Sequence, residues 1–161
     1  MLPLLALETG QPLPPLKGEF LTGRDAVLPA AAQGKPALLL LGFTYKSRFA
    51  VEDYAKRFRA DFPNEPRVAF FEIPMISGMA KMGKWFIDSG MRRGTPKADH
   101  ERVITVYSGA GDWKKHVNYQ APDDAYLIVI DGAGRVAWQH HGPFDAGKAG
   151  EIAAKLRELL R

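Results

Sequence analysis

Two hydrophobic patterns follow one another in the first third of this chain. A continuous apolar run, ALLLLGF, occupies residues 37–43 and is preceded by turn-forming residues. Such a run is typical of a central strand that is covered on both faces. From Ser47 to Phe62 the apolar residues instead recur at roughly helical steps, and Pro63 ends the pattern. The sequence therefore predicts a buried strand followed by a helix.

The rest of the chain continues this alternation. Apolar residues on both sides of Gly23-Arg24-Asp25 predict an N-terminal β-hairpin. Further strands are predicted at 68–73, 103–107, 126–130 and 135–139, and further helices at 75–90, 112–117 and 145–161. This order predicts an α/β fold with a central mixed β-sheet flanked by helices on both faces.

The N-terminal segment has a different character. Three prolines between Glu8 and Lys17 indicate that residues 1–17 form an extended lead-in without a core of its own, followed by a single domain over residues 18–161. The opening MLPLLAL is read either as an ordinary tail or strand, or as the remnant of a trimmed export signal or anchor. The compartment and the oligomeric state are left open.

Composition removes several classes of function. The 161 residues include no cysteine, which excludes disulfides, thiolate nucleophiles and cysteine-ligated metal sites. The net charge of +4 is spread over interleaved acidic and basic residues, which argues against a nucleic-acid partner. No apolar stretch approaches the roughly 20 residues that span a bilayer. We predict no cofactor.

The predicted strand and helix resemble the start of the thioredoxin-like superfamily over GKPALLLLGFTYKSRFAVEDYAKRF. The resemblance extends to oxidoreductases of the TlpA kind, to peroxiredoxins and to Sco-type copper chaperones, in which the reactive cysteine lies at the helix N-terminus. It implies that Lys46 stands where the first cysteine would be, and Phe49 or Ala50 where the second would be. It also implies that Ala125 occupies the position of the cis-proline that faces the cysteines. Both halves of the redox site are therefore altered.

The C-terminal half resembles the mitochondrial ATP synthase assembly factor family. The residues that carry this resemblance are MRRGTPKADHERVITVYSG, followed by a strand with a tyrosine, Asp131, Arg135, Val136 and Trp138. The resemblance implies a non-redox assembly chaperone whose client is a protein, such as a subunit of a membrane complex.

Two groups of residues are candidates for contacting that client. The first is Tyr45, Lys46, Ser47, Arg48 and Phe49, where two cations and backbone N–H groups would converge at a helix N-terminus. Ser47 could equally cap the helix beside solvated side chains, and core packing would explain the two aromatic residues.

The second group is a methionine stripe. Met75, Met79 and Met82 have i, i+4 and i+7 spacing, with Trp85 beside them. Such a stripe could form core packing, a client-binding groove or a Cu(I) site. A copper carrier that uses this stripe, or an enzyme on the same scaffold that uses groups other than thiols, is therefore the alternative function.

Overall fold

The computed structural model describes residues 6–76 and 90–161. The strands are β1 (Leu16–Phe20), β2 (Asp25–Leu28), β3 (Ala37–Gly42), β4 (Ala69–Pro74), β5 (Ile104–Thr105), β6 (Ala125–Ile130) and β7 (Val136–Gly142). The helices are α1 (Arg48–Asp61), α2 (Ala110–His116) and α3 (Ala146–Leu159), and residues 90–94 are also helical. Short 3-10 turns lie at Ala30–Ala32 and Lys97–Asp99.

The main sheet has the strand order β4-β3-β6-β7. Strands β3 and β4 are parallel, whereas β6 runs antiparallel to both β3 and β7. A second sheet has the order β2-β1-β5, and β1 and β2 form the predicted hairpin. Single bridges join Glu72 to Val103 and Met75 to Val106, so the chain around β5 runs parallel to β4. The mixed sheet predicted from the sequence is confirmed.

Strand β3 is buried on both faces, as its continuous apolar run predicts. Leu39 and Leu41 pack on one face with residues of the lead-in, the hairpin and α2. Leu38 and Leu40 pack on the other face against α1 and α3. Each of these leucines is at most 1% exposed. Full burial of one such side chain contributes roughly 2 kcal/mol to folding, so β3 anchors both halves of the core.

The lead-in packs along the edge of the sheet. Leu7 and Leu13 are buried in the same core as β3. The backbone N–H of Leu7 donates to the carbonyl of His116 at 2.9 Å, and that of Gly10 donates to the carbonyl of Val136 at 2.7 Å. Regular pairing begins at Leu16, where β1 starts.

Two predicted elements differ from the structure. The strand expected at 103–107 is regular only over Ile104–Thr105, because the chain there pairs with β1 on one side and meets β4 through single bridges on the other. The helix expected from Met75 does not begin there, since Met75 continues the extended path of β4 and its N–H donates to the carbonyl of Gly42 at 2.8 Å. The rest of that predicted helix, residues 77–89, lies outside the described residues.

Candidate functional site

The turn between β3 and α1 is held by Ser47. This residue precedes the first residue of α1, but its hydroxyl makes no capping bond to the helix. The hydroxyl instead donates to the carbonyl oxygen of Thr44 at 2.6 Å and accepts from the Thr44 N–H at 3.3 Å. In return, the Ser47 N–H donates to Thr44 Oγ1 at 3.1 Å. Ser47 is 1% exposed, so the structure places it beneath the surface, where it fixes the turn.

The other four candidates from this turn are exposed. Tyr45 is 74% exposed and Phe49 is 55% exposed, and the side chains of Lys46 and Arg48 also face solvent. The Arg48 guanidinium carbon lies 4.2 Å from the ring centroid of Tyr45 and 4.7 Å from that of Phe49. Cation–π contacts of this kind attract a guanidinium to an aromatic face. We call Tyr45, Lys46, Arg48 and Phe49 the junction patch.

The loop before β6 lies beside this turn. Thr44 Oγ1 donates to Asp123 Oδ1 at 2.7 Å, which ties the turn to the loop. The next residue, Asp124, pairs through Oδ2 with His141 Nδ1 on β7 at 2.9 Å. These two carboxylates therefore connect the loop to the β3–α1 turn and to β7.

Ala125, the residue at the degenerate cis-proline position, begins β6. It is fully buried and pairs with Gly42 at the end of β3. Among the described residues the cis peptide bond joins Leu28 to Pro29, and the bond before Ala125 is trans. The structure therefore places Ala125 next to the β3–α1 turn, as an ordinary strand residue.

An aromatic cluster packs beneath the turn, and hydrophobic periodicity does not predict it. The ring of Phe43 packs edge-on against Tyr119 at 5.1 Å and against Tyr126 at 5.4 Å between centroids. The Tyr126 hydroxyl accepts from the N–H groups of Gln120 and Ala121 and donates to the Ala121 carbonyl. Burial raises the pKa of the Tyr119 phenol, and the neighbouring Tyr126 and Asp123 raise it further. The Tyr119 phenol therefore remains neutral at physiological pH.

The methionine stripe is described only at its first member. Met75 is 2% exposed and packs in the core with Phe71 and Ile73. Its side chain faces neither a groove nor solvent. Met79, Met82 and Trp85 lie outside the described residues.

The described residues form neither a metal-binding cluster nor a membrane-spanning helix. Within 6–76 and 90–161, no group of three or more His, Asp or Glu side chains is arranged to hold a metal ion. In the same ranges, no helix is both long enough and apolar enough to cross a membrane.

Comparison with known proteins gives similarity at the level of structure. No protein-family profile matches the sequence, and no curated protein matches it. A peroxiredoxin-like protein from Aquifex aeolicus has a TM-score of 0.64 at 14% identity, over 96% of this chain and 88% of that one. The exposed lipoprotein thioredoxin Etrx1 from Streptococcus pneumoniae has a TM-score of 0.61 at 12% identity, over 90% and 99%.

A third similar structure is BsSco, a member of the Sco family of cytochrome c oxidase assembly proteins. Its TM-score is 0.64 at 11% identity, over 95% of this chain and 96% of that one. Because these proteins differ in activity and share little sequence, the likeness concerns the fold. The strand order, the strand directions and these neighbours together show that the chain has the thioredoxin-like α/β fold.

Proposed function

We propose that this protein binds a protein client through the junction patch and carries out no thiol–disulfide chemistry. The observation that carries the proposal is the exposed pair Tyr45 and Phe49 around Arg48, in a chain with no cysteine. Thiol–disulfide exchange requires a thiolate as its nucleophile. The end of β3, where the resemblance to redox proteins predicts a thiol, carries Lys46 instead.

Exposure of two aromatic rings one turn apart supports a binding role. The exposed large hydrophobic residues of the described chain are Val27, Tyr45, Phe49 and Phe144, and only Tyr45 and Phe49 are close in sequence. Burying apolar surface gains about 25 cal/mol per Å², so a partner that covers both rings gains about twice what a single ring offers. Tyrosine and arginine are also enriched among the residues that dominate binding energy at interfaces.

The more specific part of the proposal is that binding this client assists the assembly of a membrane complex. The sequence resembles the mitochondrial ATP synthase assembly factor family, and BsSco is described as a member of a family of cytochrome c oxidase assembly proteins. Both likenesses favour a client that is a subunit of a membrane complex.

Site-specific photo-crosslinking tests the proposal directly. A photoreactive phenylalanine analogue is placed at Tyr45 or Phe49, or at Val27 as the control, since Val27 is exposed on the hairpin and outside the patch. Each variant is irradiated with detergent-solubilised membranes of the native host. We expect one and the same protein to crosslink from Tyr45 and Phe49 and not from Val27. Identical adducts from all three positions would contradict the proposal.

A redox assay tests the other half of the statement. We expect the protein to leave the rate of insulin reduction by dithiothreitol at its buffer value, because the chain has no sulfur nucleophile. Any acceleration that survives removal of contaminating oxidoreductases would show that the non-redox assignment is wrong.

A further inference from the structure

We infer that the client segment that seats on the junction patch is acidic, and that one of its carboxylates binds the free edge of the Arg48 guanidinium. This inference rests on the proposed function, since it specifies the chemistry of the same surface. It rests on three observations. The Arg48 guanidinium has no polar partner among the described residues, further cations lie beside it, and the nearby carboxylates are bonded to other groups.

The Arg48 guanidinium has no polar partner among residues 6–76 and 90–161. Within the described part of the chain it forms no hydrogen bond and no ion pair, and its contacts are with the two rings of the patch. The other arginines before the C-terminal residue do have interactions. Arg24, Arg57, Arg59, Arg67 and Arg102 pair with carboxylates, Arg92, Arg135 and Arg157 donate to carbonyl oxygens, and Arg93 is also engaged.

Contact with the rings leaves the hydrogen-bonding capacity of Arg48 unused. A guanidinium uses its flat faces to stack on aromatic rings and its edge to donate, so the two kinds of contact are compatible. The rings also restrict the side chain, which lowers the entropy that binding would otherwise cost. Arg48 is therefore pre-organised for bidentate recognition of a planar anion such as a carboxylate.

Two further cations lie beside the same turn. Lys46 is exposed and makes no ion pair among the described residues. The Lys114 Nζ lies 4.8 Å from the ring centroid of Tyr119 and 6.0 Å from that of Phe43, two residues before the patch. Lys114 also has no ion pair in the described chain. The turn therefore presents several positive charges that a negatively charged segment would match.

None of the neighbouring carboxylates among the described residues forms an ion pair with Arg48. Asp123 accepts from Thr44, and Asp124 pairs with His141. Glu52 lies one turn along α1 from Arg48, at a spacing that permits an ion pair, but no such pair forms. The positive charge of Arg48 thus remains available to a partner.

Peptide selection supplies the test, because the client is unidentified. A random library of 12-residue peptides is selected on the immobilised protein, and enriched sequences are synthesised for fluorescence-anisotropy titration. We expect Asp or Glu to be enriched next to an apolar residue. Replacing that acid with its amide, or changing Arg48→Gln, should weaken binding about tenfold, in line with loss of a charge-assisted hydrogen bond. Arg48→Lys should give an intermediate affinity, since it keeps the charge and loses the planar edge.

The matched control is Lys56→Gln, which removes one exposed cation from the same helix two turns beyond Arg48. We expect it to leave peptide affinity within twofold of the wild type. The inference is overturned if enriched peptides are neutral or basic, if no acidic peptide is enriched, or if Arg48→Gln binds as well as the wild type. Should Tyr45→Ala and Phe49→Ala abolish binding while Arg48→Gln does not, this inference fails and the proposed function stands. Should all three variants bind normally, both fail.

Discussion

Gly42 and Ser47 form a contact that a double-mutant cycle can measure. A Cβ atom added at Gly42 would lie 2.5 Å from Ser47 Oγ, which is too close for any real pair of atoms of this kind. The same Cβ would lie 3.5 Å from Ser47 Cβ and from Val51 Cγ2, which is ordinary contact. The clash at position 42 therefore depends on one hydroxyl group.

The magnitudes follow from these contacts. Gly42→Ala should lower the free energy of unfolding by about 2 kcal/mol through overpacking. Ser47→Ala removes the two hydrogen bonds between the hydroxyl and Thr44 and should also cost about 2 kcal/mol. In the double variant the hydroxyl is gone and the new methyl fits, so the total should stay near 2 kcal/mol. Simple addition would give about 4 kcal/mol, and the expected coupling is thus about 2 kcal/mol.

Urea unfolding followed by tryptophan fluorescence provides the assay, with the m-value as a check that the unfolding transition is the same. Gly150→Ala is the matched control, because nothing lies within 4 Å of a Cβ added there in α3. It should stabilise the protein by up to about 1 kcal/mol. If the two single effects add to within about 0.5 kcal/mol in the double variant, the close contact at the turn does not exist as described.

Three further predictions concern single residues. Asp145→Ala should cost about 1 kcal/mol in thermal unfolding, because Asp145 Oδ1 accepts from the Lys148 N–H at 2.9 Å and caps α3, and Asp145→Asn should recover most of it. Burial raises the pKa of the Glu72 carboxyl above its ordinary value, so the protonated form favours folding and its contribution is lost as pH rises through the folded-state pKa. Glu72→Gln should therefore stabilise the protein at pH 7 and have little effect at pH 4, and an equal gain at both values would contradict this account. A hydrogen bond from the Arg67 side chain lowers the pKa of Glu65 to about 2, so its contribution to stability is present above pH 4.5 and is lost as pH falls toward 2. Titration by NMR should give that midpoint, with a return of the Glu65 pKa toward 4.5 in Arg67→Gln, and high salt should reduce the shift because the Arg67 guanidinium is exposed.

The sequence predicts the elements whose burial dictates their composition. The run Ala37–Gly42 is apolar because β3 is covered on both faces. This pattern can be recognised without knowing which residues cover the strand. The helical spacing after Ser47 likewise reflects the burial of Tyr54 and Phe58, which lie on the inner face of α1. The position of Lys46 follows from these two elements, and the structure does place it in the turn between them.

The properties of individual side chains in the site were harder to predict. Ser47 has the identity of a capping residue, yet its hydroxyl bonds Thr44 and occupies a position that a Cβ atom at residue 42 would block. Met75 has helical spacing to later methionines, but bridging to Val106 keeps it extended and buried. The first outcome depends on the local geometry of one turn and the second on a bridge between residues distant in sequence, and hydrophobic periodicity encodes neither.

Asp123 and Asp124, which precede β6, connect the turn of the junction patch to the His141 side chain, whose signals NMR can follow. Asp123 is bonded to the turn that carries the junction patch, and Asp124 is bonded to the imidazole of His141. A rearrangement of Thr44 on client binding would move Asp123 and, through the shared backbone, its neighbour Asp124, whose carboxylate orients the His141 ring. That ring also stacks on Tyr126 at 5.0 Å between centroids. The imidazole proton resonances of His141 are thus a built-in, label-free spectroscopic reporter of occupancy, on a strand separate from the contact surface.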